Sequence, residues 1–214
     1  MSYLSRVEID YKKPKSQIDL KSVGAFHNWV EQSFPEEWGN RERSRKLWRV
    51  DVLRGKHYLL IVSDSKPDLR RLETYGVAGT ASAKNYDKFL NSLINGMRMQ
   101  FRVTLNPVVS ISDTPDARTS RGRVVPHVTY AQQMNFLLDR AQKLGFSLNE
   151  NEFTVIERGY SLFMKSVKPI RLSKAVYQGV LTISDADVMR KTLVEGIGKK
   201  KAYGFGMMTV IPLG

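Results

Sequence analysis

The chain has 214 residues, with 34 Lys and Arg against 21 Asp and Glu and no cysteine. Without cysteine there is no disulfide framework, thiol nucleophile, iron–sulfur cluster or Cys-type zinc site. A hydrophobic content of 42% is enough for folded cores and excludes a disordered basic tail. The formal charge of +13 asks for an anionic partner, and nucleic acid leads the candidates.

The stretch from Met1 to Lys15 lacks the apolar core of a signal peptide. The longest apolar runs, such as Tyr58-Leu59-Leu60-Ile61-Val62, are strand-sized and far below the ~18 residues a membrane span needs. A cytoplasmic protein with no membrane association is therefore expected. The positive charge is not confined to a tail. Residues 1–95 hold 17 Lys and Arg against 12 acids, and residues 96–214 hold 17 against 9.

In chain order, Tyr3 to Ile9 alternates as a strand. The span Ile18 to Phe34 places apolar residues at 23, 26, 30 and 34, the spacing of one helical face. Ser16 or Asp19 can cap it and Pro35 ends it. Leu47 to Leu53 and His57 to Val62 read as strands joined by the turn Arg54-Gly55-Lys56. A short helix follows Pro67, and Ala83–Phe89 supplies a closing strand.

The second half repeats this order. Met97 to Leu105 alternates, and Thr129 to Leu144 is an amphipathic helix ended by Gly145. Strands Phe153–Val167 and Ala175–Ile183 follow. Ser184 or Asp185 caps a helix over Ala186–Glu195, and Met207 to Pro212 is the last strand. Two βαββαβ units predict an α+β chain of two tandem ferredoxin-like domains, residues 1–92 and 93–214, joined near Asn91–Gly96.

The densest motif spans Gly196 to Met208, where Gly196, Gly198, Gly204 and Gly206 bracket Lys199, Lys200 and Lys201. Glycines admit positive φ and leave N–H groups open to a phosphate, and the lysines add charge. The motif lacks the Lys-Ser/Thr ending of a Walker loop and opens no helix, so it is neither a P-loop nor a dinucleotide fingerprint. A tight helix-to-strand connection with solvated lysines explains it about as well. Two further basic segments carry Arg118, Arg121 and Arg123, and Lys165, Lys168, Arg171 and Lys174. Each is either a phosphate-tracking loop or a solvated one. A third run, Arg41 to Arg49, reads partly as a strand face.

There are three histidines, His27, His57 and His127. His27 lies in the first helix beside Phe26 and Trp29. It is either a packed boundary residue or a general acid/base, since imidazole titrates near neutrality. His57 and His127 read as structural. No histidine pair has ligand spacing and no carboxylate cluster resembles a two-metal nuclease, so neither a metal nor a cofactor is expected. Phosphodiester chemistry without a metal points to RNA, whose 2′-OH can be the nucleophile.

Several stretches together resemble the CasE-type precursor-crRNA endoribonucleases, a CRISPR-associated branch of the RAMP superfamily. They are Met1-Ser2-Tyr3-Leu4-Ser5-Arg6-Val7, Phe26-His27-Asn28-Trp29 and Phe101-Arg102-Val103-Thr104-Leu105-Asn106-Pro107. Arg123-Val124-Val125-Pro126, Gly179-Val180-Leu181-Thr182-Ile183 and the terminal Gly-Ile-Gly-Lys ending add to them. The resemblance spans essentially the whole chain. It implies binding of a CRISPR repeat stem-loop and cleavage at its 3′ base by 2′-OH attack, leaving a 2′,3′-cyclic phosphate and a 5′-hydroxyl. It further implies retention of the crRNA and assembly with other Cascade subunits.

The same resemblance makes His27 the catalytic histidine and puts charge stabilisation near Ser161–Lys168, where Lys165 and Lys168 stand. It has the glycine-rich loop hold the RNA. Relatives often carry a tyrosine one helical turn before the histidine, where this chain has Gly24. The residues themselves leave two other classes open. One is a non-catalytic RAMP-type or RRM-like RNA-binding subunit, although Gly204-Phe205-Gly206 lacks the aromatic continuation of an RNP motif. The other is a basic DNA-binding protein, although no helix-turn-helix or zinc signature is present.

Overall fold

In the computed structural model, the structure describes residues 1–111, 123–165 and 168–213, and the side chains of Lys165 and Lys168 lie outside that description. Arg118 and Arg121 also fall outside the described residues.

The first sheet is built from β1 (Tyr3–Glu8), β2 (Lys46–Leu53), β3 (Lys56–Ser63) and β4 (Ser82–Asn85), in the order β2-β3-β1-β4 with every pairing antiparallel. Helices α1 (Pro14–Asp19) and α2 (Val23–Gln32) connect β1 to β2, and α3 (Leu69–Leu72) lies between β3 and β4. The β2–β3 hairpin turns through Arg54 and Gly55, with φ of 51° and 75°. Two consecutive positive φ values match the right-handed twist of the strands on either side.

The predicted single helix over 18–34 is two helices. Pro14 opens α1 at a position where a missing N–H costs nothing. The chain then turns to bury Leu20, and Ser22 adopts an extended conformation before α2 starts. The apolar set 23, 26, 30 and 34 belongs to α2 and its exit alone. Neither Ser16 nor Asp19 caps a helix here; the Ser16 hydroxyl is buried without a hydrogen-bond partner. The predicted strand Ala83–Phe89 is also corrected. It ends at Asn85 and gives way to α4 (Asp87–Asn91), because Tyr86 and Leu90 turn into the core of the second half.

The second sheet contains β5 (Arg98–Leu105), β8 (Phe146–Lys165), β9 (Lys168–Ile183) and β10 (Met208–Pro212), in the order β10-β5-β9-β8, again antiparallel. A separate two-stranded ribbon pairs β6 (Val108–Ile111) with β7 (Arg123–Pro126). Helix α5 (Tyr130–Ala141) opens with a complete capping box between Thr129 and Gln132, and a 3-10 turn, Gln142–Leu144, continues it to Gly145 at φ 85°. Helix α6 (Ala186–Glu195) is capped by Asp185, whose carboxylate accepts from the Asp187 and Val188 N–H groups. Strand β8 starts at Phe146, seven residues before its predicted start. Register shifts at Leu148/Phe153 and Val155/Glu157 break the alternation by which a strand is recognised.

Both sheets therefore have the ferredoxin-like order, in which the first and third strands of a βαββαβ unit are central. Two cores lie under them. Val7, Trp29, Val30, Trp48, Leu59 and Ile61 form one, between the first sheet and α2. The larger contains Phe101, Leu137, Phe146, Tyr177 and Met189 and also takes in Leu47 and Val62 from the first sheet. Strand β2 thus serves both cores through successive residues.

The junction is closed by Arg49, which is 3% exposed. Its guanidinium chelates the Asp51 carboxylate at 2.6 and 2.8 Å and donates to the Arg102 and Met207 carbonyls at 2.6 and 2.9 Å. It also donates to the Thr209 hydroxyl at 2.7 Å. Every donor of a costly buried cation is spent on the opposite sheet or on its own counter-ion.

Candidate active site and RNA interface

His27 stands on α2 at the edge of a cleft of about 570 Å³. Its other walls come from the segment Arg43-Ser44-Arg45-Lys46 entering β2 and from Gly198, Lys200, Lys201 and Ala202 of the glycine-rich loop. Glu31, one turn after His27, pairs with Arg43 at 3.1 Å and stands 3.8 Å from Lys46. Lys46 itself is almost fully buried and donates to Glu37 at 2.6 Å and to the Ser44 carbonyl at 3.1 Å. It is a structural cation. Burial on its own would raise the Glu37 carboxyl, but hydrogen bonds from Lys46 and Ser44 carry it below the usual range.

Burial holds the His27 imidazole below its ordinary value. Glu31 pulls it back up, and the positive charges of Lys46 and Arg43 push it further down. Lys201 is also lowered, first by burial and then by Arg45, against the opposing pull of Glu195. The result is an imidazole that is neutral near pH 7, set among cations. It can accept a proton while its surroundings attract phosphate.

The glycine-rich loop is held from below by β2. The indole Nε1 of Trp48 donates to the Ala202 carbonyl at 3.0 Å. Gly204, at φ 81°, lies so close to the indole that a Cβ there would meet ring atoms at 2.8 to 3.2 Å. Gly196 is pressed on Leu47 and Gly206 on the Ile197 carbonyl, each also with positive φ. These three glycines have a packing reason for being glycine. Gly198 faces open space at the cleft. Lys200 takes a left-handed conformation, φ 63°, as it leads into the 3-10 turn Lys201–Tyr203.

The remaining basic residues fall into groups. Lys199 is exposed and reaches the Ser110 hydroxyl on β6 at 3.3 Å, with Arg123 exposed on the pairing strand. Arg171 is exposed on β9 with its guanidinium 6.0 Å from the Tyr160 ring. Lys174 is ion-paired with Glu157 and lines a second cleft with Ser161, Trp48 and Tyr203. The backbones of Lys165 and Lys168 pair at the tip of the β8–β9 hairpin, just beyond Phe163. His57 packs edge-on against Tyr11 and His127 against Phe136, both away from the cleft. Among the described residues no group of three His, Asp or Glu side chains is arranged to hold a metal.

The cleft contains Glu31 and Ser44, to which sequence reasoning gave no role, and Arg43 and Arg45 of the run read partly as a strand face; Tyr203, in the adjoining second cleft, was also missed. Glu31 was recoverable from its i+4 spacing to His27. Tyr203 packs edge-on to His27, centroids 5.7 Å apart, and sits 4.4 Å from Phe163. Phe163 also fills the space over Gly24, where a Cβ would meet its ring at 3.2 Å. No local pattern announces those contacts.

Two ferredoxin-like units thus place a histidine cleft beside a basic glycine-rich loop. The model of the CRISPR associated protein family matches residues 2–212, and the chain belongs to that family. It is 27% identical to the CRISPR-associated endoribonuclease Cse3 of Thermus thermophilus, over 98% of this chain and the whole of that protein. It is 29% identical to the Cascade subunit CasE of Escherichia coli K12, over 55% of this chain and 60% of that protein. A solved structure of Thermus thermophilus Cse3, bound to an RNA representing a pre-cleavage complex, superimposes with a TM-score of 0.80. It is 22% identical and covers 99% of both chains. No helix among the described residues is long and apolar enough to cross a membrane.

Proposed function

We propose that this protein is an endoribonuclease that binds a CRISPR repeat stem-loop, cleaves precursor crRNA and keeps the product. The observation that carries this reading is the half-buried His27 imidazole, depressed below its ordinary value, in a cleft rimmed by Arg43, Arg45, Lys200 and Lys201. In-line attack by a ribose 2′-OH places extra negative charge on the phosphoryl oxygens as the 5′-oxygen leaves. His27 takes the 2′-OH proton or protonates the leaving oxygen, contributing roughly 10²–10⁴ in rate. The lysines and arginines of the rim hold the phosphate and offset the developing charge. The products are a 2′,3′-cyclic phosphate and a 5′-hydroxyl.

Lys165, at the hairpin tip near α2, is proposed as a second catalytic group, with Lys168, Arg171, Arg123 and Lys199 tracking the stem. Arg118 and Arg121 are proposed as further RNA contacts. The Thermus and Escherichia coli relatives, an endoribonuclease and a Cascade subunit, support the activity and an assembly with other Cascade subunits. We place the protein in the cytoplasm and divide its halves near residues 92 and 93.

The test is single-turnover cleavage of a repeat hairpin in EDTA. Wild type cleaves, a 2′-deoxy at the scissile nucleotide blocks cleavage, and His27→Ala binds without cutting. Cleavage by His27→Ala at the wild-type rate would remove His27 from the chemistry. Tight binding with no cleavage by wild type would make the protein an RNA-binding subunit only.

A further inference from the structure

We infer that Tyr203 is the positioning residue for His27: the glycine-rich loop delivers its ring to fix the imidazole, and the Phe163 hairpin holds that ring in place. This rests on the reading of His27 as the catalytic group. Helical side chains lean toward the N-terminus, so the His27 ring lies over the turn that holds Val23 and Gly24. Gly24 offers no side chain there. The flank is closed from outside the helix, by Tyr203 edge-on to His27 at 5.7 Å and by Phe163 over Gly24.

The placement of Tyr203 is over-determined. Its backbone N–H donates to the Lys200 carbonyl at 2.9 Å. The residue before it accepts from the Trp48 indole at 3.0 Å, and the residue after it rests on that ring. Trp48 in turn stacks on Phe26, the neighbour of His27, with centroids 5.6 Å apart. Loop and helix are thus clamped to one tryptophan, with Tyr203 and His27 meeting across it. Phe163, 4.4 Å from Tyr203, ties the β8–β9 hairpin to the same contact. An aromatic edge restricts the imidazole to one rotamer and excludes water from one side, and displacement of a catalytic group by about 1 Å can cost ~10²-fold in rate.

The charged groups facing His27 are Glu31 from its own helix, Arg43, Arg45 and Lys46 from the segment entering β2, and Lys200 and Lys201 from the loop. None of them is removed by a change at Tyr203. The experiment compares Tyr203→Leu and Tyr203→Phe with wild type in three measurements: single-turnover cleavage of the repeat hairpin, its Kd, and the His27 ring titration followed by NMR in the free protein.

Tyr203→Leu is expected to cleave about 10- to 100-fold more slowly with Kd within a few-fold of wild type, and to raise the His27 midpoint as water reaches the ring. Tyr203→Phe keeps the ring and is expected to retain rate and midpoint. An unmoved His27 titration in a folded Tyr203→Leu protein would overturn the inference, as would a wild-type rate or a loss confined to Kd. Equal loss in Tyr203→Phe would overturn it by assigning the effect to the hydroxyl. If wild type itself does not cleave, the catalytic reading fails on its own. The NMR titration then still decides whether Tyr203 orders the imidazole.

Discussion

The Arg49 guanidinium donates to the Met207 carbonyl at 2.9 Å, joining β2 of the first sheet to the end of the glycine-rich segment in the second. Truncating this side chain strands two carbonyls and leaves the Asp51 carboxylate only the longer Arg102 contact, at 3.7 Å. Arg49→Ala is expected to cost about 3–5 kcal/mol, the range for breaking a buried pair from one side. Arg49→Lys recovers only part of it, because an ammonium cannot serve five partners in a plane. Urea unfolding measures both, and a cost for Arg49→Ala under about 1 kcal/mol would show that the junction does not depend on this residue.

Gly204 and Gly198 separate conformation from packing. Both have positive φ, 81° and 76°, but a Cβ at Gly204 strikes the Trp48 ring whereas one at Gly198 meets nothing within 4 Å. Gly198→Ala is expected to cost only the left-handed penalty of about 1–2 kcal/mol. Gly204→Ala adds displacement of the indole, should melt at a lower temperature than Gly198→Ala, and should slow cleavage because Tyr203 follows the loop. Equal melting temperatures for the two would refute the packing role assigned to Trp48.

The three loop lysines are not equivalent. Lys199 and Lys200 are exposed, while Lys201 donates to the Glu195 carbonyl at 2.7 Å and is partly desolvated. Removing Lys199 or Lys200 is expected to lower the slope of log K against log salt by about 0.7–0.9 each. Lys201→Ala should change that slope less and stability more. Titrations of a labelled repeat hairpin at several salt concentrations test the order.

His27 links proton and RNA binding. Its midpoint in the free protein lies below the ordinary 6.5, chiefly through burial. A phosphodiester in the cleft favours the imidazolium and moves the midpoint up. Binding therefore takes up a proton between the two values, and affinity for a 2′-deoxy-blocked hairpin rises as pH falls through that window. His27→Gln should lack the increment, and identical pH profiles for both proteins would exclude the linkage. In the absence of RNA the sign is opposite for folding. A depressed folded value makes the protein lose stability as pH falls from 6.5 through that value.

Locally encoded features were legible in the amino-acid order. The Arg54-Gly55 turn, Gly145 and Asp185 are each decided within about four residues, and the structure shows all of them. The break between α1 and α2 was not legible, because burial of Leu20 is decided by residues far away in sequence. The start of β8 was hidden by two bulges. At the site, His27 and the lysine run stand out by residue type. Tyr203 reaches His27 only because Trp48 holds a carbonyl 154 positions away, and no periodicity records such a pairing.

The alternation of β2 has a thermodynamic consequence. Leu47 is a core residue of the second half, beneath Gly196, while its neighbour Trp48 is a core residue of the first and the seat of the loop. A slip of one position along β3 would exchange the two, emptying both interiors in a single step. Neither half can melt while the other stays intact, so calorimetry should record one transition for the whole chain, with its enthalpy agreeing with the van't Hoff value. Catalytic competence and global stability are then lost at the same temperature.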